Sequence, residues 1–412
     1  MSYLTFLRDN WRFVGFGAFL TMVSSFGQTY YIALYGGDIR AEFELSNGGF
    51  GALYSIASIA SAGALIWLGK QIDRVDIRVY TAASLAALFA GMVLLSTSTS
   101  ILLFGLAIFV VRFCGQGLCV HIASTCMARY FVHNRGKALS VSGLGLAIGE
   151  AYLPITTVAL IAGIGWRDSW WVTAAVFALL SLALLPVFLK GQSQRHQAYV
   201  ERLELTAKSD RPERLWTRRD VLGDPGFRVI LALLMAYPFT TTGVLFHQAF
   251  IADVKGWDIE VMAVGFVVLA AMKVLTSLIV GQSIDRFGAT ILVPATALPW
   301  IAAYFALAVS DSILVPFIYL GLFGVGIGML QPILSAVLAE RYGVANLGGI
   351  RAMSIAGIVL SAAIAPATVG WMLDAGVTIE WMSIAFIAYI LTAALIAQRM
   401  ISRERRAEAP GL

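Results

Sequence analysis

The sequence predicts an all-α membrane protein of twelve transmembrane helices, arranged as two pseudo-symmetric six-helix bundles. Three observations predict it. First, of 412 residues 59% are hydrophobic and only 13% charged, with a mean hydropathy of +0.81. A soluble domain carries roughly twice that charge. There is too little polar side chain to cover a water-facing surface, which excludes a soluble enzyme, a coiled coil and a disordered chain. Second, the apolar residues gather into runs of the ~20 residues that a bilayer requires. Third, landmarks of the first half recur in the second at a fixed offset.

The runs are 13–36, 48–69, 79–98, 101–127, 137–161, 169–190, 227–252, 259–281, 289–309, 312–337, 348–372 and 380–400. They are numbered here as spans one to twelve. Each is read as a helix, because a lone span in lipid must satisfy its own backbone groups. The ten-residue alternation of an outer-membrane barrel is absent. The first run is too long for a signal sequence and has no clear small-residue cleavage site, so it is read as a retained span. One long polar segment, 191–225, holds 13 charged residues together with Pro212 and Pro225. It divides the chain into an N-terminal bundle (1–190), a cytoplasmic linker (191–225), a C-terminal bundle (226–402) and a cytoplasmic tail (403–412). A surface helix is expected around Tyr199–Leu205.

Orientation follows from the basic residues. With the N-terminus inside, cytoplasmic segments hold 24 of the 29 Lys and Arg, and only Arg40, Arg167 and Lys255 lie outside. This bias is a positive-inside signal and places both termini in the cytoplasm, in an inner membrane. The net charge of +5 therefore reflects cytoplasmic loops and not nucleic-acid binding. Cys114, Cys119 and Cys126 share one apolar stretch and say nothing of an oxidising compartment.

The repeat is concrete. Gly69, Asp73 and Arg74 form a G-x-x-x-D-R that returns 212 residues later as Gly281, Asp285 and Arg286. The same offset carries Arg129-Tyr130 onto Arg341-Tyr342, Asn134 onto Asn346, Gly136 onto Gly348 and Pro154 onto Pro366. Six spans return the chain to its starting side, so the halves run in parallel. Two such halves about an axis normal to the membrane suit a central cavity and alternating access.

The repeated G-x-x-x-D-R, extended by Arg78 in its first copy, resembles the signature loop of the major facilitator superfamily. Arg112, Gly115, Gln116 and Gly117 in span four resemble that family's second motif. Gly143, Gly145, Gly149 and Pro154 in span five resemble the third, with Glu150 departing from it. Arg135, Gly136 and Lys137 at the start of span five, and His247-Gln248 in span seven, are similar to the monocarboxylate and oxalate/formate porter branch. The resemblance implies the major facilitator fold. It also implies a gating role for Gly69, Asp73, Arg74, Arg78, Gly281, Asp285 and Arg286, and a carboxylate-binding role for Lys273. Asp73 and Asp285 are expected to latch the cytoplasmic side.

Ionisable groups deep in a membrane cost at least ~2.5–3.5 kcal/mol each on insertion scales, and usually face a partner or a wet cavity. Here they are Arg112, Glu150, His247 and Lys273, with His121 shallower. Under the 212 offset Arg112 maps to Gly324, Glu150 to Ala362 and Lys273 to Ser61: the scaffold is duplicated and the charges are not. At ~1.5 Å per residue, Glu150 lies ~20 Å and Arg112 ~23 Å from the cytoplasmic ends of their spans, so the two are expected within ion-pair reach. Either the pair neutralises itself and locks spans four and five, or Glu150 exchanges a proton while Arg112 resets its pKa or binds substrate. Lys273, ~12 Å above Gly281, either snorkels or meets an anion. Aligning Ile32-Ala33 with Ile251-Ala252 sets Gln28 opposite His247 and Tyr31 opposite Phe250. Gln28, Tyr30, Tyr31, His247 and Gln248 are therefore expected pocket walls, with helix-packing hydrogen bonds as the alternative for each.

No metal-ligand spacing and no nucleotide-binding loop occurs, so neither a metal nor another cofactor is expected, nor catalysis. The expectation is a monomeric secondary transporter in membrane lipid, moving a small organic anion (a monocarboxylate) with a proton. The alternative is proton-coupled efflux of drug-like or amphipathic compounds.

Overall fold

The computed structural model describes residues 3–131, 134–197, 199, 218–343 and 347–408, and all regular structure among them is helical. Among the described residues eleven helices are long and apolar enough to cross a membrane. The first span makes the twelfth, in pieces: a helix Tyr3–Val23, a 3-10 turn Ser24–Gly27 and a short helix Thr29–Ala33. This is an integral membrane protein with the fold class its sequence predicts.

The chain divides into two compact units. One comprises Met1–Asp38 and Ile56–Pro212, the other Ile39–Ser55 and Glu213–Leu412. In the first unit, span one packs on spans four and five, and span three on spans four and six. In the second, span seven packs on spans eleven and twelve, and span nine on spans ten and twelve. Adding six to each of 1–5, 3–4 and 3–6 gives 7–11, 9–10 and 9–12. The repeated landmarks are thus accompanied by repeated packing partners.

Small residues set the closest approaches, as expected where lipid offers no hydrophobic drive between helices. A methyl group on Gly145 would collide with the Ala18 carbonyl, and one on Gly149 with the Ser25 side chain. Spans one and five therefore meet backbone to backbone. In the second unit a methyl on Gly324 would strike the Leu269 carbonyl, and one on Gly328 would come within 2.6 Å of the Lys273 carbonyl oxygen. Within the glycine-rich stretches at 143–149 and 321–328, Gly145, Gly149, Gly324 and Gly328 are the packing points.

Helix starts follow their side chains. The carboxylates of Asp76 and Asp224 and the hydroxyl of Ser100 accept backbone N–H groups at the starts of spans three, seven and four, the usual N-cap arrangement. The apolar runs mark only the part of each helix that lipid can wet. Span one accordingly begins its helix at Tyr3, ten residues before its apolar run, and the last helix, Ile379–Glu408, outlasts span twelve. In the linker, residues 192–197 and Arg218–Gly223 are helical. Most of the surface helix expected around Tyr199–Leu205 lies outside the described residues.

Candidate functional site

The first unit holds a polar joint made from two defects in neighbouring helices. Span one stops at Ser24–Gly27, and Gln28 is extended (φ −79°, ψ 151°) before the helix resumes at Thr29. Beside it, span four widens to a π-type helix over Arg112–Cys119. A widened turn of this kind is rare overall and frequent at functional sites. The two defects fit because both carry glycine: a methyl on Gly115 would lie 2.9 Å from the Gly27 nitrogen, and one on Gly27 would lie 2.6 Å from the Gln116 nitrogen. Breaking a helix in lipid strips carbonyls of their partners. Arg112 answers this, donating from Nη1 to the Gly27 carbonyl at 3.2 Å and to Thr29 Oγ1 at 3.4 Å. Only 8% of Arg112 is exposed.

Glu150 is buried on span five, next to the Gly149 that packs on Ser25. It stands near the Tyr30 phenol. Tyr31 turns elsewhere: its hydroxyl meets Tyr35 Oη at 3.3 Å, and Ser169 Oγ donates to Tyr35 Oη at 3.3 Å. Tyr35 stacks on Trp170, with ring centroids 4.8 Å apart. Tyr31 is therefore a fully buried core residue, while Gln28 at the break is half-buried.

The second unit has its own break in the matching place. His247 interrupts span seven between Pro225–Phe246 and Gln248–Lys255, in register with Gln28. Its Nε2 lies 2.9 Å from the Pro366 carbonyl of span eleven; since a carbonyl only accepts, that nitrogen carries the proton. Gln248 is fully buried, and Phe50 and Tyr54 pack on Phe246 at 4.8 and 4.6 Å. Lys273 is half-exposed on span eight, where its carbonyl faces Gly328. The structure thus groups Arg112, Gln28, Tyr30 and Glu150 around one break, and His247 and Gln248 around the other.

Several polar residues were invisible to sequence reasoning. Lys255, whose side chain is 3% exposed, donates to Asp311 and Glu380, each at 2.6 Å. Burial lowers its affinity for a proton, but the two carboxylates more than compensate and its pKa is raised. Asp374 accepts the backbone N–H groups of Asn47 and Gly48 at 3.0 and 2.8 Å, and Arg40 donates to Asn47 Oδ1 at 2.7 Å. These partners are 7 to 327 residues apart, and no local pattern announces them.

The signature loop forms a 3-10 turn, Gly69–Asp73. Its Asp73 pairs with Arg129 at the end of span four, its Gly69 carbonyl meets His121 Nε2 at 3.0 Å, and Arg78 donates to Ser193 Oγ at 2.7 Å. Arg74 follows as the capping residue. The second copy behaves differently. Gly281, Asp285 and Arg286 continue the helix Ile259–Phe287, with Asp285 and Arg286 exposed. Arg341, the counterpart of Arg129, is gripped by both oxygens of Glu404 at 2.8 and 2.9 Å and lies 3.6 Å from Asp224. Burial raises the Asp224 pKa, but the Tyr342 hydroxyl, the Gly226 and Phe227 amides and Arg341 together hold it below the ordinary carboxylate value. The 212 offset pointed to Arg129 and Arg341 and the signature loop to Asp73; Glu404 and Asp224 had no signal.

Among the described residues no group of His, Cys, Asp and Glu is placed to hold a metal. The family model described as Major Facilitator Superfamily matches residues 17–272. Two curated relatives from strains of Mycobacterium tuberculosis, both described as a multidrug resistance protein B homolog, are 28% identical over 186 residues, or 43% of this chain. The match spans 33% of those relatives' length. Among solved structures, a bacterial homolog of the human lysosomal transporter Spinster, in an inward-facing and occupied conformation, superimposes with a TM-score of 0.68 at 15% identity, over 94% of this chain and 96% of its own. The nucleoside transporter NupG does so with a TM-score of 0.67 at 12% identity, over 94% and 98%. These two likenesses speak for the fold.

Proposed function

We propose, for a chain that belongs to the Major Facilitator Superfamily and is by that membership a secondary transporter, that its cargo is a small organic anion, a monocarboxylate, moved by alternating access with a coupled proton. The membrane is the inner membrane, with both termini in the cytoplasm as the basic loops require. The observation that carries the reading is the unequal deep charge: Arg112 and Lys273 against the single acid Glu150, on a scaffold whose repeat does not need them. A cation held in low dielectric attracts a carboxylate far more strongly than it would in water. Arg112 further sits where span one is broken, as transporter sites are in other folds built from interrupted helices. Glu150 is the proposed proton carrier, as the one acid buried deep in a span of the first unit. Gln28, Tyr30, His247 and Gln248 supply neutral hydrogen-bonding groups beside the breaks, and the two G-x-x-x-D-R loops serve gating.

The test is uptake into proteoliposomes under an imposed pH gradient, screened over short carboxylates. Wild type accumulates one of them; Lys273→Ala loses carboxylate transport, and Glu150→Gln loses the response to the gradient. Full pH-driven uptake by Glu150→Gln removes that residue as the carrier. The likeness to relatives described as multidrug resistance proteins favours a second reading, proton-coupled efflux of amphipathic compounds. Thermal stabilisation by lipophilic cations alone, unchanged in Lys273→Ala, decides for it.

A further inference from the structure

A cluster of basic and aromatic residues at the charged end of the first unit is left unexplained by transport. The helical turn at 192–197 folds back against the starts and ends of spans one and four. Its Arg195 guanidinium lies over the Phe13 ring at 4.5 Å, and its His196 Nδ1 meets the Tyr130 hydroxyl at 3.2 Å. Arg129 and Tyr130 both pack on the Tyr199 ring, at 5.6 and 5.7 Å. Two features of this cluster are costly. Gln192 is only 2% exposed, yet among the described residues neither its carboxamide oxygen nor its nitrogen has a hydrogen-bond partner, and neither has Arg195 Nη1. Buried donors left in this state cost about 1–3 kcal/mol apiece, more when charged. Burial also depresses the proton affinity of Arg195, and the charge of Arg12 depresses it further. The two guanidinium groups thus repel one another, and the Tyr130 phenol acts on Arg195 in the opposite sense.

We propose that Gln192 and Arg195 form a binding site for a phosphate-type anion, with phosphate oxygens taking the Arg195 Nη1–H and Gln192 Nε2–H groups and Arg12 adding positive charge. A phosphate answers each of the costs at once. It offers several strong acceptors, offsets the repulsion between the guanidiniums, and satisfies buried donors that have no hydrogen-bond partner among the described residues. Two sources share this chemistry: the headgroup of an anionic phospholipid, and free inorganic phosphate. The cluster sits where spans one and four begin and end, beside the headgroup layer, a level at which basic pockets take anionic headgroups. Occupancy would fasten the linker's first turn to the first unit.

The experiment uses the full chain, and lipid retention and stability are its readouts, so its outcome does not depend on the transport reading. The protein is placed in nanodiscs of phosphatidylcholine, with or without phosphatidylglycerol, and separately in detergent with inorganic phosphate. Phosphatidylglycerol raises the thermal midpoint of wild type and remains bound in native mass spectra. Arg195→Gln weakens that binding about fivefold, the equivalent of the ~1 kcal/mol that one basic residue contributes at an anionic surface. Gln192→Leu weakens it without changing charge, while Arg403→Gln, in the second unit, leaves it unchanged. Stabilisation by phosphate in detergent with no preference for phosphatidylglycerol assigns the site to the free anion. The proposal is overturned if wild type, Arg195→Gln and Gln192→Leu respond alike to both probes, or if Arg403→Gln loses as much as Arg195→Gln.

Discussion

Replacing Gly115 with alanine tests the joint between the two broken helices most directly. Its new methyl would stand 2.9 Å from the Gly27 nitrogen, 3.0 Å from the Gly27 Cα and 3.4 Å from the Ser24 carbonyl oxygen. All three neighbours are backbone, so no side chain can swing aside; either span one retreats by several tenths of an ångström or span four does. Overpacking of this kind costs about 1–3 kcal/mol. The retreat also lengthens the Arg112–Gly27 hydrogen bond from its 3.2 Å, and a bond from a charged donor is worth about 1.5–3 kcal/mol. Gly143→Ala is the control: it lies in helix Arg135–Ile164 with nothing within 4 Å of the added carbon. Its expected effect is neutral or a gain of about 0.5–1 kcal/mol from the lost flexibility of glycine. The assay is thermal unfolding of both variants in one detergent, followed by uptake in proteoliposomes. Gly115→Ala unfolds at a clearly lower temperature than Gly143→Ala and loses most of its transport. If the two variants match in midpoint and in uptake, the close fit of the two defects is not what holds the joint.

Two further substitutions probe the second unit. Lys255→Met leaves Asp311 and Glu380 without their shared cation; breaking a buried pair costs about 3–5 kcal/mol, but these carboxylates are 70% and 45% exposed. Screening by water therefore brings the expected loss to about 1–2 kcal/mol, read as a lower thermal midpoint that added salt does not restore. Asp224→Asn probes pH dependence. The native environment holds the Asp224 pKa below its ordinary value, so the charged form contributes stability that is fully present above the unfolded-state pKa and is lost as pH falls through the lower folded-state value. Wild type is accordingly more stable than Asp224→Asn at neutral pH, and the two converge in acid below the ordinary carboxylate range; a gap that persists there refutes the assignment.

Composition determined the class, because a chain with so little charge has only lipid to face. Run length determined the number of spans, and the 212-residue repeat, together with the motifs it carries, pointed to the fold. The burial of Arg112 and Glu150 was legible for the same reason: charge inside an apolar run is visible one residue at a time. What the tertiary structure decided is where backbone regularity fails and who compensates. Nothing local distinguishes Tyr31, which packs into the Trp170 core, from Tyr30 beside Glu150. Nor does anything in span four announce that Arg112–Cys119 will widen to meet a break 85 residues earlier. Such a defect is tolerable only when another helix supplies the missing hydrogen-bond partner. Local sequence encodes the first helix's preferences, but the partner arrives through packing, and distances along the chain do not record it.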